Sequence, residues 1–423
     1  MPQYIKPKFF NNGTPPHILT LILLAGLSPL SMNFFLPSLP SMSLHFQTSP
    51  AVLGLSIAIF LAASAIFQIF IGPLSDHYGR RPVVLWSLIV FILVTILIPF
   101  LTSTAAFFIL RALQAAAAAC IVVSRAIVRD TTTNTAESGQ QISYVTMGMA
   151  VAPMLGLSFA GFIDSWFGWQ ANFWILGIVG AVVLFICYFD QTETLNAKGT
   201  SFTEQMRQYP ELLRSRRFWG YCLSSALGSG AFFAFLGGAP FVGSELFHLS
   251  PEDLGLYISL TALGYFLGNY LSSRYSIHIG IDTMVFFGLI VTVFAISCSL
   301  AISLIGYGSA ISFFGLMSLA AIGNGLTMPN AAAGMMSVRP NLAGTASGLG
   351  GAILIAGGAA LSAVATTMLG SGSTETPLVF LMWLSVTGGL FCILYVRKRN
   401  KWLLIKQSRQ EKPTGSAQDW NGG

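Results

Sequence analysis

Stretches of about 20 apolar residues, separated by short polar breaks, recur along almost the whole chain. A run of that length is long enough to cross the hydrocarbon core of a bilayer as a helix. The pattern predicts membrane-spanning helices in two sets of six, on either side of a polar stretch at 191–216. The predicted spans are 17–37, 51–72, 82–101, 105–128, 139–163, 169–189, 217–241, 253–274, 282–303, 308–330, 342–368 and 376–396.

The composition agrees with a membrane protein, because 54% of the 423 residues are hydrophobic, only 9% are charged and the mean hydropathy is +0.71. These values exclude a soluble globular domain. We therefore predict an all-α integral membrane fold of twelve transmembrane helices in two six-helix bundles. The predicted parts are an N-terminal bundle (1–190), a cytoplasmic linker (191–216), a C-terminal bundle (217–400) and a cytoplasmic tail (401–423).

Basic residues are distributed among the breaks as the positive-inside rule requires. With the break at 72–81 on the cytoplasmic side, every Lys and Arg except Arg111 falls in a cytoplasmic segment or at a helix end, and both termini are cytoplasmic. The net charge of +6 therefore reflects membrane topology and gives no reason to expect a nucleic-acid partner. The five cysteines show no metal-ligand spacing, so we expect no metal site.

The break between spans 2 and 3 holds an acid, two arginines and two glycines between hydrophobic runs. We expect a tight turn that ends span 2 at Gly72 and lets Asp76 either cap a neighbouring helix N-terminus or pair with Arg80. The spacing Gly-x-Leu-x-Asp-x-x-Gly-Arg-Arg resembles the signature loop of the major facilitator superfamily. The matching residues are Gly72, Leu74, Asp76, Gly79, Arg80 and Arg81.

The exit of span 4, Ser124-Arg125-Ala126-Ile127-Val128-Arg129-Asp130, resembles that of the Bcr/CflA branch of drug exporters. This resemblance implies a charged latch that holds the cytoplasmic gate closed while the cavity opens outward, with the start of span 11 as a further partner of Asp76. Simple surface pairing, worth only ~0–1 kcal/mol, is the alternative. The implied latch residues are Gly72, Asp76, Gly79, Arg80, Arg81, Asp130 and, as a candidate member, Arg129.

Arg111 and Gln114 lie three residues apart in span 4, so they share a helix face. A guanidinium in a bilayer costs ~3 to more than 10 kcal/mol, so Arg111 must face a partner or a wet cavity, unless it braces helices through backbone carbonyls. The pair resembles the Arg-x-x-Gln-Gly pattern of proton-coupled exporters. Polar or aromatic residues of the spans give the candidate substrate and coupling set: Asn33, Phe34, Arg111, Gln114, Tyr144, Asn172, Tyr265, Asn269 and Asn324.

Small residues recur in span 5 and allow neighbouring helices to approach closely. The stretch resembles, in degenerate form, the Gly-x-x-x-Gly-Pro-x-x-Gly-Gly motif of antiporters. Its candidate members are Gly148, Pro153, Gly156 and Gly161.

The second half repeats the first only weakly. Pro73–Tyr78 can be laid over Tyr270–Tyr275, each at a helix exit, which puts Ser273 where the first half has Asp76. Such parallel repetition is typical of the two halves of the superfamily.

The sequence predicts a transporter, not an enzyme, that exports drugs or small amphipathic compounds by proton antiport with alternating access. Its expected partners are the substrate, protons and the lipid bilayer of a bacterial inner membrane; the resemblance implies a monomer without a cofactor. No acid lies inside a predicted span, so either a helix-end acid such as Asp164, Glu245 or Asp253 enters the outer cavity, or proton and drug compete through Arg111. A transporter of a metabolite or organic anion, with other or no proton coupling, is the alternative.

Overall fold

The computed structural model of this chain is helical throughout the part that it describes. Helices dominate because a backbone inside a bilayer has to satisfy its own hydrogen bonds. The prediction of an all-α membrane fold is confirmed: eleven described helices are long and apolar enough to cross a membrane. The described residues are 9–10, 14–132, 141, 144–145, 149, 156–195, 209–339, 342–370 and 372–410.

Predicted span 5 lies largely outside the described residues: residues 141, 144–145 and 149 are seen singly or as a pair, and a continuous helix is described over 156–167. The first half otherwise follows the predicted order, with a short extra helix after span 1. Its helices are α1 (Ile18–Asn33), α2 (Leu39–His45), α3 (Pro50–Tyr78), α4 (Arg80–Leu97), α5 (Thr104–Gln114), α6 (Ala118–Thr131), α7 (156–167) and α8 (Trp169–Asp190).

Six long helices follow in the second half, as predicted. Residues 209–213 form one additional short helix before them. The long helices are α9 (Arg216–Phe241), α10 (Pro251–Ile279), α11 (Ile281–Ile305), α12 (Ala310–Ser337), α13 (Ala343–Thr367) and α14 (Thr376–Gln410).

Serine residues start five of the described helices, because a serine hydroxyl accepts a hydrogen bond from an N–H that has no partner within the helix. Ser49, Ser103, Ser215, Ser250 and Ser309 all act in this way. These caps place the helix starts within a few residues of the predicted boundaries.

The prediction that span 2 ends at Gly72 is wrong. Helix α3 continues through Pro73 to Tyr78, and only Gly79 leaves the helical conformation, at φ +99°. A proline is tolerated inside a membrane helix where neighbouring groups satisfy the freed backbone. The turn is therefore a single glycine in a backbone conformation that L side chains rarely adopt.

The helical bundle has two ends, each defined by a turn at a glycine. Gly79 joins α3 to α4 at the Gly79 end, and Gly168 joins α7 to α8 at the Gly168 end. The two halves pack closely at the Gly168 end: a Cβ on Gly161 would lie 2.5 Å from the Pro251 carbonyl oxygen. At the Gly79 end, a Cβ on Gly72 or Gly348 would meet no atom within 4 Å. The halves are thus in contact at the Gly168 end, whereas a side chain at Gly72 or Gly348 would meet no neighbour within that distance.

Candidate functional site

An ionic cluster holds α3, α4 and α6 together at the Gly79 end. The Arg80 Nη1 atom lies 2.5 Å from Asp76 Oδ1 and donates to Ser75 Oγ at 2.6 Å. The Arg80 Nε atom donates to Asp130 Oδ2 at 3.0 Å. Arg80 is only 5% exposed, so these charge-assisted bonds lie in a partly dehydrated site and are stronger than surface pairs. Asp76 was expected either to cap a neighbouring helix or to pair with Arg80, and in the structure it pairs with Arg80.

The other expected latch residues lie apart from this cluster. Arg81 turns to α8, where Nη2 donates to the Tyr188 carbonyl oxygen at 2.9 Å. Arg129 is exposed and forms no ion pair within the described part of the chain, so its membership of the cluster is not observed. The start of α13 follows Leu342, whose side chain provides no cap, and Asp76 does not fill that place here.

Glu193 completes this site and was missed by the sequence reasoning. Its Oε1 accepts from the Arg80 N–H at 2.9 Å, and its Oε2 accepts from the Arg81 N–H at 3.1 Å. A carboxylate at a helix N-terminus satisfies unpaired N–H groups and the helix dipole. Glu193 therefore connects the turn at Gly79 to the segment that follows α8.

Asp190, at the end of α8, was also missed. It is fully buried and accepts hydrogen bonds from the Phe10 N–H at 2.8 Å, the His17 N–H at 2.9 Å and Thr20 Oγ1 at 2.6 Å. The start of α1 is thereby fixed to the end of α8. The available signal was an acid directly after a long apolar run.

Arg111 is completely buried and lies between two aromatic rings. Its Cζ atom is 4.3 Å from the centroid of Phe35 and 4.7 Å from that of Phe60. Its Nη1 donates to the Ser31 carbonyl oxygen at 3.3 Å and also to Gln114 Oε1. Two cation–π contacts of roughly 2 kcal/mol each offset part of the burial cost. Nε and Nη2 have no hydrogen-bond partner among the described residues.

Three other predicted substrate residues of the first half are buried in helix packing. Asn33 Nδ2 donates to the Pro29 carbonyl oxygen of its own helix at 2.8 Å. Asn172 Nδ2 donates to Ser38 Oγ at 2.7 Å. Phe34 is 7% exposed and packs where a Cβ on Gly156 would approach it to 2.9 Å. In this arrangement they stabilise the Gly168 end of the first half.

The predicted residues of the second half lie on two neighbouring helices. Tyr265 of α10 stacks on Phe232, with ring centroids 6.0 Å apart, and its carbonyl oxygen accepts from Asn269 Nδ2 at 2.9 Å. Asn324 of α12 is 5% exposed and accepts from Ser229 Oγ at 3.3 Å. Aromatic and amide groups therefore come together near the middle of these helices.

Arg125 of α6 interacts electrostatically with Tyr265 across the two halves. It has no hydrogen bond or ion pair with any described residue, and its Nε is buried. The predictions placed Arg125 only at a helix exit. Tyr144, a predicted site residue, is 45% exposed.

The described members of the span 5 motif make close helix contacts. Gly161 meets the start of α10, and a Cβ on Gly255 would lie 2.7 Å from the Leu157 carbonyl oxygen. Ser158 Oγ also donates to Ser259 Oγ at 2.8 Å between the halves. Gly148 and Pro153 lie outside the described residues.

Asp164 lies near the end of α7 and is 6% exposed. Its Oδ2 accepts from Ser41 Oγ at 2.6 Å, whereas its buried Oδ1 has no partner among the described residues. Burial raises the pKa of the Asp164 carboxyl, and hydrogen bonds from Ser41 and Ser38 only partly oppose that rise. This environment favours the protonated acid.

Comparison with known proteins adds the family. The model of the Major Facilitator Superfamily matches residues 21–363. The bicyclomycin resistance protein homolog of Haemophilus influenzae is 25% identical over 394 residues, which are 90% of this chain and 96% of that protein. The chloramphenicol resistance protein of Pseudomonas aeruginosa is 30% identical over 227 residues, or 52% and 53% of the two chains. Multidrug resistance protein MdtL of Escherichia coli is 26% identical over 327 residues, or 76% and 82%.

Solved transporter structures share the fold. A bacterial homolog of the human lysosomal transporter Spinster, in an inward-facing and occupied conformation, matches with a TM-score of 0.70 and 17% identity over 91% of this chain and 96% of that one. The nucleoside transporter NupG matches with a TM-score of 0.68 and 14% identity over 90% and 99%.

Proposed function

Because the chain belongs to the Major Facilitator Superfamily and resembles its bicyclomycin- and chloramphenicol-resistance members, we propose that it exports drugs or other small amphipathic compounds by proton antiport. It acts as a monomeric transporter of the bacterial inner membrane, with no enzymatic step. The distribution of basic residues supports an orientation with the Gly79 end and both termini in the cytoplasm. We also propose that the segment 191–216 is the cytoplasmic linker between the two six-helix bundles.

Transport proceeds by alternating access between the two halves. The close packing of Gly161 against Pro251 is the periplasmic closure, and the free space beside Gly72 and Gly348 belongs to the cytoplasmic opening. This arrangement corresponds to a cavity that receives substrate from the cytoplasm. Export then requires the periplasmic contacts to separate and the Gly79 end to close.

The cluster of Asp76, Arg80 and Asp130 is the latch for that second state, and its ionic pairing in a chain with drug-resistance relatives is the observation that carries the proposal. On closure, the Asp76 carboxylate moves to the start of α13, where the helix dipole favours a negative charge. Glu193 keeps the Gly79 turn in place during this exchange because it holds the backbone of Arg80 and Arg81.

Substrate binds between the halves, near the helix segments that carry the cluster of Tyr265, Phe232 and Asn269. Aromatic faces suit planar, apolar compounds, and amides fix their polar groups. Arg111 supplies the intramembrane charge on which substrate and proton binding depend. The buried guanidinium nitrogens without partners support this role.

Transport of an organic anion is the second candidate function, and one observation favours it. Arg111 and Arg125 both lie in membrane helices without a carboxylate partner among the described residues. One buried and one half-buried cation raise the local concentration of an anionic substrate. The two candidates differ in the charge of the compound that drives proton movement.

Purified protein in liposomes with an internal pH dye tests the proposal. A pH gradient is imposed and amphenicols, fluoroquinolones, dyes and organic anions are added in turn. Proton movement that appears only with neutral or amphipathic drugs supports antiport, and movement only with anions supports the second candidate. Arg111→Ala is expected to abolish flux and Arg111→Lys to retain part of it. Compound flux without proton movement in the wild type would contradict proton antiport.

A further inference from the structure

The structure points to a proton-binding site at the periplasmic closure: we propose that protonation of Asp164 closes the Gly168 end and that loss of this proton allows it to open. This inference rests on the proposed alternating-access function. The sequence places no acid in the interior of a predicted span. The inference therefore assigns the proton-dependent conformational step to an acid at a helix end.

Asp164 differs in its surroundings from the acids at the Gly79 end of the first half. Asp76 and Asp130 pair with Arg80, and Glu193 and Asp190 accept backbone N–H bonds. Among the described residues, Asp164 has neither a cation nor an N–H donor for its carboxyl group, and one of its oxygens is buried without a partner there. A carboxylate buried with only hydroxyl donors is poorly compensated, whereas a protonated carboxyl loses far less on leaving water.

The position of Asp164 links its burial to closure of the halves. The neighbouring Ser165 donates to Glu252 Oε1 of α10, and Gly161, one turn earlier, packs against the Pro251 backbone. The segment that carries its partner Ser41 also reaches α10, since a Cβ on Gly255 would lie 3.4 Å from Pro37 Cγ. Asp164 therefore lies beneath the joint of α2, α7 and α10. Separation of α10 from this joint admits water to the carboxyl.

The charged and titratable groups around this joint have partners of their own. Glu252 accepts from Ser165, Asp253 accepts from Ser250 Oγ at 2.8 Å, and the ring of His45 bonds the Leu101 carbonyl oxygen at 2.9 Å. From α8, the neutral Asn172 donates to Ser38 Oγ at 2.7 Å. Within the described residues, none of these groups forms an ion pair with Asp164.

The sign of the effect follows from linkage. The closed end raises the pKa of Asp164 above its ordinary value of 3.8, and hydration in the open end returns it toward that value. The closed end therefore binds more protons, so acid favours closure and alkali favours opening. Between the two pKa values, one proton changes the ratio of closed to open molecules by up to about tenfold per pH unit. An acidic periplasm would thus drive the return of an exporter after it releases its drug.

The test measures the distance across the Gly168 end in nanodiscs between pH 4.5 and 8.5. Spin labels are placed at Trp166→Cys and Tyr307→Cys, whose native side chains are 76% and 79% exposed in opposite halves, after the native cysteines are replaced by alanine. The wild-type closed fraction is expected to rise as the pH falls. Asp164→Asn, which resembles the protonated acid, is expected to remain closed throughout, and Asp164→Glu to respond with a shifted midpoint.

Asp253→Asn removes the charge of the nearby exposed aspartate. This control variant distinguishes the effect of Asp253 from that of Asp164. Retention of the pH response in that variant, with loss in Asp164→Asn, supports the proposal. A pH-independent wild type, a normal response in Asp164→Asn, or loss of the response only in Asp253→Asn would overturn it. If Asp164→Asn fails to fold, the response of Asp164→Glu decides: a midpoint identical to the wild type contradicts the proposal.

Drug-driven proton flux, measured in liposomes with the same preparations, separates this inference from the proposed function. Flux together with a pH-independent distance would reject the role of Asp164 and leave antiport intact. A pH-dependent distance without any drug-driven flux would reject drug and proton antiport while supporting the proton-linked closure.

Discussion

The turns at Gly79 and Gly280 occupy the same place in the two halves, yet only the first is built around charge. Gly79 joins α3 to α4 at φ +99°, and Gly280 joins α10 to α11 at φ +87°. A Cβ on Gly79 would collide with the Glu193 carboxylate, whereas a Cβ on Gly280 would meet no atom within 4 Å. The two halves therefore share a backbone requirement, and the first half adds a charged site to it.

The acid that follows the second-half turn, Asp282, has neutral partners. Asp282, two residues after Gly280, accepts from Tyr221 Oη at 2.5 Å and from Asn400 Nδ2 at 2.7 Å. These bonds join α9, α11 and α14 within one half. In the proposed mechanism the Asp76 carboxylate, whose side chain is 23% exposed, exchanges its partner, whereas the Asp282 network joins helices within one half.

Removal of the central cation is expected to have the largest effect. Arg80→Ala leaves Asp76 and Asp130 unpaired at 23% and 24% side-chain exposure, which should lower the free energy of unfolding by about 2 kcal/mol, less than for a fully buried pair. Transport should fall more than tenfold. Thermal unfolding in detergent and drug-driven flux measure the two effects. Arg397→Ala, in the second half of α14, removes a cation from the C-terminal helices as a control. Equal losses in both variants would contradict the comparison.

The two turn glycines provide a matched pair of substitutions. Alanine at either position costs ~1–2 kcal/mol because of the positive φ. Gly79→Ala also displaces Glu193, so its unfolding temperature should fall further than that of Gly280→Ala and its transport should be lost. Thermal unfolding of both variants is measured in the same detergent, and drug flux is measured in liposomes of the same lipid. Indistinguishable variants would mean that Glu193 contributes nothing at this turn.

A smaller effect is expected for Glu193→Gln. The amide oxygen still accepts one N–H bond, but the favourable interaction of a negative charge with the start of α4 is lost, at roughly 0.5–1 kcal/mol. Hydrogen exchange of the Arg80 and Arg81 amides should accelerate, while drug flux falls a few-fold. Glu211→Gln, whose carboxylate pairs with the exposed Arg339, is the control. Unchanged exchange at both amides would exclude the capping role.

The smallest effect on transport is expected for Asp282→Asn. The amide keeps an acceptor for Tyr221 but presents an N–H group toward Asn400, so stability should fall by about 1 kcal/mol with flux close to wild type. Flux in proteoliposomes, corrected for the amount of folded protein, measures this. A loss of flux comparable with that of Arg80→Ala would show that both halves carry a charged latch.

The spans and the latch pair were predictable because they depend on local properties. Apolar run length locates membrane helices, and Asp76 and Arg80 are only four residues apart in the chain, on either side of the Gly79 turn. The helical path through Pro73 was not predicted, since the surrounding helices decide whether a proline ends a membrane helix.

Partners distant in sequence were beyond pattern reasoning. Glu193 contacts Arg80 from 113 residues away, and Asp190 contacts His17 from 173 residues away, so no spacing connects them. The internal repeat was also misplaced. The structure aligns Gly79 with Gly280, which places Ile277, rather than Ser273, opposite Asp76. A weak repeat carries too few shared residues to define its register.

The most direct test of this account measures drug-driven collapse of a pH gradient in inverted membrane vesicles that contain wild type, Asp76→Asn or Asp282→Asn at equal amounts. The account predicts collapse on addition of a transported drug for wild type and Asp282→Asn, and none for Asp76→Asn, although that variant is inserted and folded. Collapse by Asp76→Asn at the wild-type rate would contradict it.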